Sequence, residues 1–163
     1  VLMDTHDLTL DDLLIRKRKM WQPRRGYRMG LDTVLLAAFV SPSPGEIVAD
    51  LGTGAGAIPL LLTARFSGIK VYGVEIQEEL VALAEKNISL NNLSAQVEVR
   101  HGDLTAMAEV WGQNRFHLVL SNPPYRKPGT GGKSPLQQKR IASEEIHCTL
   151  SRVVAAAARL VKP

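Results

Sequence analysis

From residue 46 onward, apolar positions fall into short dense blocks separated by longer stretches in which they recur every three or four residues. The blocks at 46–51, 70–75, 96–100 and 116–121 are rich in β-branched, leucine or aromatic residues and end in turn formers, so they predict four strands. Helices are predicted at 57–65, at 78–91 with Leu80, Leu83, Ala84 and Ile88 on one face, and at 148–160, an alanine-rich amphipathic run. A shorter crossover occupies 104–111. Strand and helix alternate throughout, which predicts an α/β fold with a doubly wound, mostly parallel sheet. The turn-forming string Ser41-Pro42-Ser43-Pro44-Gly45 separates an N-terminal arm, 1–44, from this core, 45–163. The segment 129–135, with three glycines and a proline, predicts a loop.

Composition narrows the class. The chain has 163 residues, 45% hydrophobic and 22% charged, the mixture of one globular domain. A single cysteine, Cys148, excludes an internal disulfide and a zinc ribbon. His6, His101, His117 and His147 show no metal-ligand spacing, so no metal is expected. The longest apolar runs fall far short of the roughly 18 residues of a membrane span, and no secretory leader is visible, so a cytoplasmic protein without membrane contact is expected. Twenty Lys and Arg against sixteen Asp and Glu give a net charge of +4. The excess is concentrated. Arg126, Lys127, Lys133, Lys139 and Arg140 lie in an acid-free stretch, and Arg16, Lys17, Arg18 and Lys19 are followed by Arg24 and Arg25. Such runs are solvated faces in many proteins and phosphate contacts in nucleic-acid binders.

The first predicted strand ends in a glycine loop, Asp50-x-Gly52-x-Gly54-x-Gly56, which opens a helix. Glycines there admit close approach of a ligand to backbone N–H groups and a helix N-terminus. Gly52-x-Gly54-x-x-Ala57 with Glu75 downstream also satisfies a loose dinucleotide fingerprint, so a nicotinamide cofactor is one reading. Asp50 and the Gly102-Asp103-Leu104 string favour another. The pattern resembles motif I of the class I S-adenosylmethionine methyltransferases, and the fit runs from 46 to about 125. That resemblance implies a Rossmann-like fold and S-adenosylmethionine as cofactor. It implies that Gly52, Thr53, Gly54 and Gly56 back onto the methionine part, whose ammonium suits Asp50. It also implies that Glu75 and Ile76 lie at the ribose and that Asp103 and Leu104 lie at the adenine.

After the fourth predicted strand comes Asn122-Pro123-Pro124-Tyr125. An exocyclic amine on a base or amide is a poor nucleophile, because its lone pair is delocalised. The Asn122 side-chain oxygen and the Pro123 carbonyl supply two acceptors that would aim its nitrogen and favour the positive charge that develops there. Two prolines stiffen the loop. Tyr125 offers a face on which a flipped base stacks. The tetrapeptide resembles that of methyltransferases acting on adenine N6, guanine N2 in a related form, or a glutamine amide.

The residues ahead of the glycine loop discriminate among these. The stretch 27–36, containing Asp32, resembles the corresponding segment of the bacterial valine-tRNA adenine-37 N6-methyltransferase family, which places Asp32 near the cofactor pocket. The glutamine enzymes carry a Pro-Arg-Pro-x-Thr-Glu string there, absent here, whereas the ribosomal guanine N2 enzymes have a comparable Leu-Asp element. The segment from Arg140 reads Ala-Ser-Glu-Glu where the tRNA family usually has Ala-Arg-His-Glu. The resemblance therefore implies an N-methyltransferase acting on RNA, with tRNA adenine N6 preferred. Arg24, Arg25, Arg126, Lys127, Lys133, Lys139 and Arg140 are the candidate RNA-binding residues. A ribosomal guanine or release-factor glutamine acceptor, and a non-catalytic cofactor-binding module, remain the alternatives. The chain starts at Val1 and stops where the family would continue into a fifth strand, so a fold truncated before its C-terminal strands is expected.

Overall fold

Every second residue of the predicted strands turns to the same side, and the two sides are buried by different helices. The computed structural model describes residues 5–25, 28–123 and 149–163. In chain order its elements are β1 (Leu8–Asp12), β2 (Lys19–Pro23), α1 (Leu31–Phe39), β3 (Ile47–Leu51), α2 (Ala57–Arg65), β4 (Lys70–Glu75), α3 (Glu78–Leu90), β5 (Val97–His101), α4 (Met107–Trp111), β6 (Leu118–Ser121) and α5 (Leu150–Leu160). Single 3-10 turns at Thr5–Asp7 and Leu104–Ala106 precede β1 and α4.

The main sheet is parallel, in the order β5-β4-β3-β6. On one face Val48, Val71, Val97 and Leu120 pack with α2 and α3 and with Met20 and Ala37. On the other, Ala49, Leu51 and Val74 meet Met107, Trp111, Val153 and Leu160 from α4 and α5. Near-continuous apolar strands are what a sheet covered on both faces requires. The predicted α/β class and parallel sheet are thus the observed ones.

Differences from the predicted boundaries are local. The fourth core strand starts at Leu118 rather than 116; the chain bends at His117, whose ring Nδ1 accepts the Ile47 N–H (3.0 Å). Phe116 instead forms a parallel bridge with Val161, so the chain returns to the sheet beside β6 after α5.

Two elements of the arm were not predicted, the β1–β2 hairpin and α1. The hairpin lies against α3, and Asn87 hooks it there. Asn87 is fully buried, accepts the Trp21 N–H at Oδ1 (2.7 Å) and donates from Nδ2 to the Trp21 carbonyl (2.9 Å). One turn later Asn91 repeats the arrangement on Lys19.

Candidate active site

The chain runs outward from β3 to β4 to β5 and then returns to the opposite side of β3 as β6. Connections therefore diverge between β3 and β6, and the crevice at the C-terminal ends of these two strands is where open α/β sheets receive ligands. Leu51 pairs with Ser121, and the Ser121 hydroxyl donates to the Leu51 carbonyl (2.7 Å). This register sets Gly52 and Asn122 side by side.

The glycine loop is held from β4. The N–H groups of Gly52 and Thr53 both donate to the Val74 carbonyl (2.9 Å each). The Gly54 N–H donates to Glu75 Oε2 (2.9 Å), and the other carboxylate oxygen accepts the Gln77 N–H (3.0 Å). Gly52, Gly54 and Gly56 all have positive φ, 80°, 57° and 87°, which is the loop's requirement for glycine. Gly56 then caps α2.

Asp50 is wholly buried beneath this loop, and among the described residues neither of its oxygens nor Thr53 Oγ1 has a hydrogen-bond partner. Burial pushes the Asp50 carboxyl up from 3.8 to about 7; the nearby Thr53 hydroxyl opposes the shift and the Glu75 charge adds to it. Such a buried carboxyl is an electrostatic cost that a cation above the loop would offset.

Asn122 follows β6 directly, and its amide is oriented by the first turn of α1. Nδ2 donates to Asp32 Oδ2 (2.8 Å) and to Thr33 Oγ1 (3.0 Å). The cleft between these parts is lined by Gly52, Thr53 and Asn122, by Thr33 of α1, and by Met20 and Gln22 of the hairpin. Gln22 is buried, donating to Asp11 (2.6 Å) and accepting the Met29 N–H (2.7 Å), which fastens the hairpin to the entry of α1.

The remaining sequence candidates lie around this centre. Ile76 is exposed at the end of β4, with its carbonyl 2.9 Å from His101 Nε2. Asp103 caps the 3-10 turn, its Oδ1 accepting from the Thr105 N–H (2.9 Å) and hydroxyl (2.8 Å), while Oδ2 is 3.5 Å from Arg152. Leu104 is buried in the core behind it. Arg24 and Arg25 are exposed just past β2, and Arg24 Nε donates to the His6 carbonyl (2.9 Å). Pro123 is buried at the cleft end of β6. Pro124, Tyr125, Arg126, Lys127, Lys133, Lys139 and Arg140 lie outside the described residues.

Sequence reasoning missed Thr33, Gln22 and Asn87. Each is a common polar residue in no recognisable motif, the partners of Thr33 and Asn87 are distant in sequence, and only their burial marks the three. Among the described residues, no group of three or more His, Cys, Asp or Glu is placed to hold a metal, and no helix is long and apolar enough to cross a membrane.

Comparison with known proteins agrees with this architecture. A tRNA1(Val) (adenine(37)-N6)-methyltransferase of Porphyromonas gingivalis is 31% identical over 142 residues, covering 83% of this chain and 55% of the relative. One of the same name from Erwinia tasmaniensis is 33% identical over 113 residues, 69% of this chain and 46% of the relative. The chain thus spans about half the length of the curated relatives it matches. The crystal structure of a SAM-dependent methyltransferase from Thiobacillus denitrificans in complex with S-adenosyl-L-homocysteine superposes with a TM-score of 0.60 over 86% of this chain and 48% of that one, at 17% identity, a likeness of fold. The family model of the methyltransferase small domain matches residues 29–144, and the chain belongs to that family.

Proposed function

We propose that the protein is an S-adenosylmethionine-dependent N-methyltransferase acting on the exocyclic amine of a base in RNA, with adenine N6 of tRNA, at position 37 of tRNA(Val), as its acceptor. The observation that carries this reading is the juxtaposition, across the β3/β6 crevice, of the glycine loop with a carboxamide whose orientation is fixed by Asp32 and Thr33. The names of the relatives supply the preference for tRNA adenine. A tRNA substrate would place the working enzyme in the cytoplasm.

The residues present fit the cofactor. When bound, it would supply an electrophilic sulfonium methyl, with the S–C bonding pair left on sulfur as a thioether. Gly52, Thr53, Gly54 and Gly56 form the wall against its methionine part, and Asp50 acts through the loop as a buried negative charge beneath the ammonium. Each Glu75 oxygen accepts one N–H and has a second acceptor direction, enough for the two O–H groups of a ribose. Ile76 gives an apolar edge, and Asp103 and Leu104 bound the adenine end. Residues 45–163 are then the cofactor-binding core, and residues 1–44 contribute the hairpin and α1 that wall the cleft.

Chemistry requires little more than orientation. The acceptor nitrogen gives its lone pair to the methyl carbon and sheds one proton to water. Asn122 Oδ1 and the Pro123 carbonyl accept the two amine N–H groups, which directs the lone pair and stabilises charge developing on nitrogen. Pro124 stiffens the loop, and Tyr125 provides the stacking face for the flipped base. Arg24, Arg25, Arg126, Lys127, Lys133, Lys139 and Arg140 are assigned to backbone phosphates.

Tritium transfer from labelled S-adenosylmethionine to tRNA lacking the modification, followed by nucleoside analysis, tests the proposal on the full-length protein. The expected product is labelled N6-methyladenosine. Asn122→Ala should lower the rate about 30- to 1000-fold, roughly 2–4 kcal/mol of transition-state stabilisation. Label in ribosomal guanine or in a release-factor glutamine would replace the acceptor, and absence of any transfer would overturn the activity.

A further inference from the structure

We propose that Asp32 and Thr33 are positioning residues for the methyl transfer, which set and hold the orientation of the Asn122 carboxamide; the proposal rests on the N-methyltransferase reading above. A carboxamide presents an acceptor on one side and a donor on the other, and the two are nearly equal in shape. Rotated by half a turn, Asn122 would point an NH2 group at the substrate amine, donor against donor, and the site would repel the group it has to hold.

The hydroxyl of Thr33 does not decide between these orientations, because a hydroxyl both donates and accepts. Asp32 does decide. An ionised carboxylate only accepts, and its Oδ2 lies 2.8 Å from the Asn122 nitrogen, so Nδ2 must face α1 and Oδ1 must face the opposite way. Thr33 then adds a second acceptor, 3.0 Å from the same nitrogen, from a residue only 3% exposed. Two fixed acceptors on one nitrogen hold the amide plane as well as its sense.

The carboxylate has a second effect. Its negative charge at the nitrogen end polarises the amide and makes Oδ1 a stronger acceptor, so the bond to the substrate strengthens as positive charge develops on the attacking nitrogen. The interaction is therefore worth more in the transition state than in the bound ground state. It should appear in kcat.

The local structure supports this placement. Asp32 and Thr33 occupy the first turn of α1, where a carboxylate is favoured by the helix dipole, and Gly30, which precedes α1 and lies two residues before Asp32, has no side chain to crowd the Asp32 carboxylate. On this proposal Asp32 is assigned to Asn122, whereas the family resemblance alone implied a place at the cofactor pocket.

The test compares Asp32→Asn, Thr33→Val, Thr33→Ser and Asn122→Ala in the full-length protein. It measures kcat and KM for tRNA methylation together with the dissociation constant of S-adenosylhomocysteine by calorimetry. Asp32→Asn preserves shape but lets either amide orientation bond, so kcat should fall roughly 10- to 100-fold while S-adenosylhomocysteine affinity stays within about twofold. Thr33→Val should cost roughly 3- to 10-fold in kcat, and Thr33→Ser should restore it. Circular dichroism checks the fold of each variant, and the Thr33 pair keeps the test decisive if Asp32→Asn does not fold. Unchanged kcat in Asp32→Asn and Thr33→Val, or a loss of S-adenosylhomocysteine affinity that parallels the loss of rate, would overturn the positioning role and, in the second case, return Asp32 to the cofactor. Wild-type activity that Asn122→Ala leaves intact would instead overturn the reading on which the proposal rests.

Discussion

Gly73 shows how tightly single residues set the cofactor loop. It lies inside β4, where glycine weakens a strand and needs a reason. A Cβ at this position would stand 2.8 Å from Thr53 Cγ2 and 3.0 Å from Thr53 Oγ1. Thr53 is buried, β-branched and tied by its own N–H to Val74, so it has little room to yield. Gly73→Ala is therefore expected to displace the loop, costing about 1–3 kcal/mol of stability and weakening S-adenosylhomocysteine binding. Thermal melts and a calorimetric titration check it, and a variant that is wild-type in both would place the loop's rigidity elsewhere. Residues of this kind divide by how local their reason is. The glycines, Asp50 and Asn122 were legible because their chemistry is written in adjacent positions. Thr33, 89 residues from the amide it touches, was not.

The same division holds between elements. The four core strands were legible because both of their faces are buried, which demands apolar residues at nearly every position. The hairpin has no such demand and no turn signature. Leu14, Arg16 and Lys17 take positive φ values of 55°, 44° and 57° in a connection without glycine, asparagine or proline, so nothing in its composition announced a reversal. Tertiary hooks hold it instead. Besides its two bonds to Trp21, Asn87 Nδ2 donates to the Ala55 carbonyl (2.9 Å), so one side chain joins the hairpin, α3 and the glycine loop. Asn87→Ala removes all three bonds and strands the partly buried Trp21 and Ala55 backbone groups, an expected loss of about 2–4 kcal/mol in urea unfolding. Hydrogen exchange at the Trp21 amide should accelerate with it. An unchanged urea midpoint with Trp21 still protected would show that packing against Leu80 and Leu83 alone holds the hairpin.

At the scale of the whole molecule, the topology that creates the crevice also creates a liability. Ending β3 with a carboxylate under a glycine loop buries Asp50 completely, beside the largely buried Glu75. The folded state holds the Asp50 proton up to about pH 7, whereas the unfolded chain releases it near its ordinary 3.8. Between those values the folded state binds more protons than the unfolded one, so stability must fall as pH rises through the window. Below it Asp50 contributes no pH dependence; above about pH 7 its penalty is complete, of the order of 4 kcal/mol. Asp50→Asn, uncharged at every pH, should lack this slope and gain on the wild type as pH rises from 4 to 8. Other carboxylates titrate near the lower end of the range, so the informative quantity is the difference between the two proteins in urea unfolding at each pH. If an ammonium-bearing ligand sits above the loop, it lowers the Asp50 pKa, and S-adenosylhomocysteine should then stabilise the wild type more at pH 8 than at pH 6, with that increment missing from Asp50→Asn. Parallel stability curves for the two proteins would mean that Asp50 stays ionised in the folded chain and that solvent or a neighbouring dipole reaches it from beneath the loop.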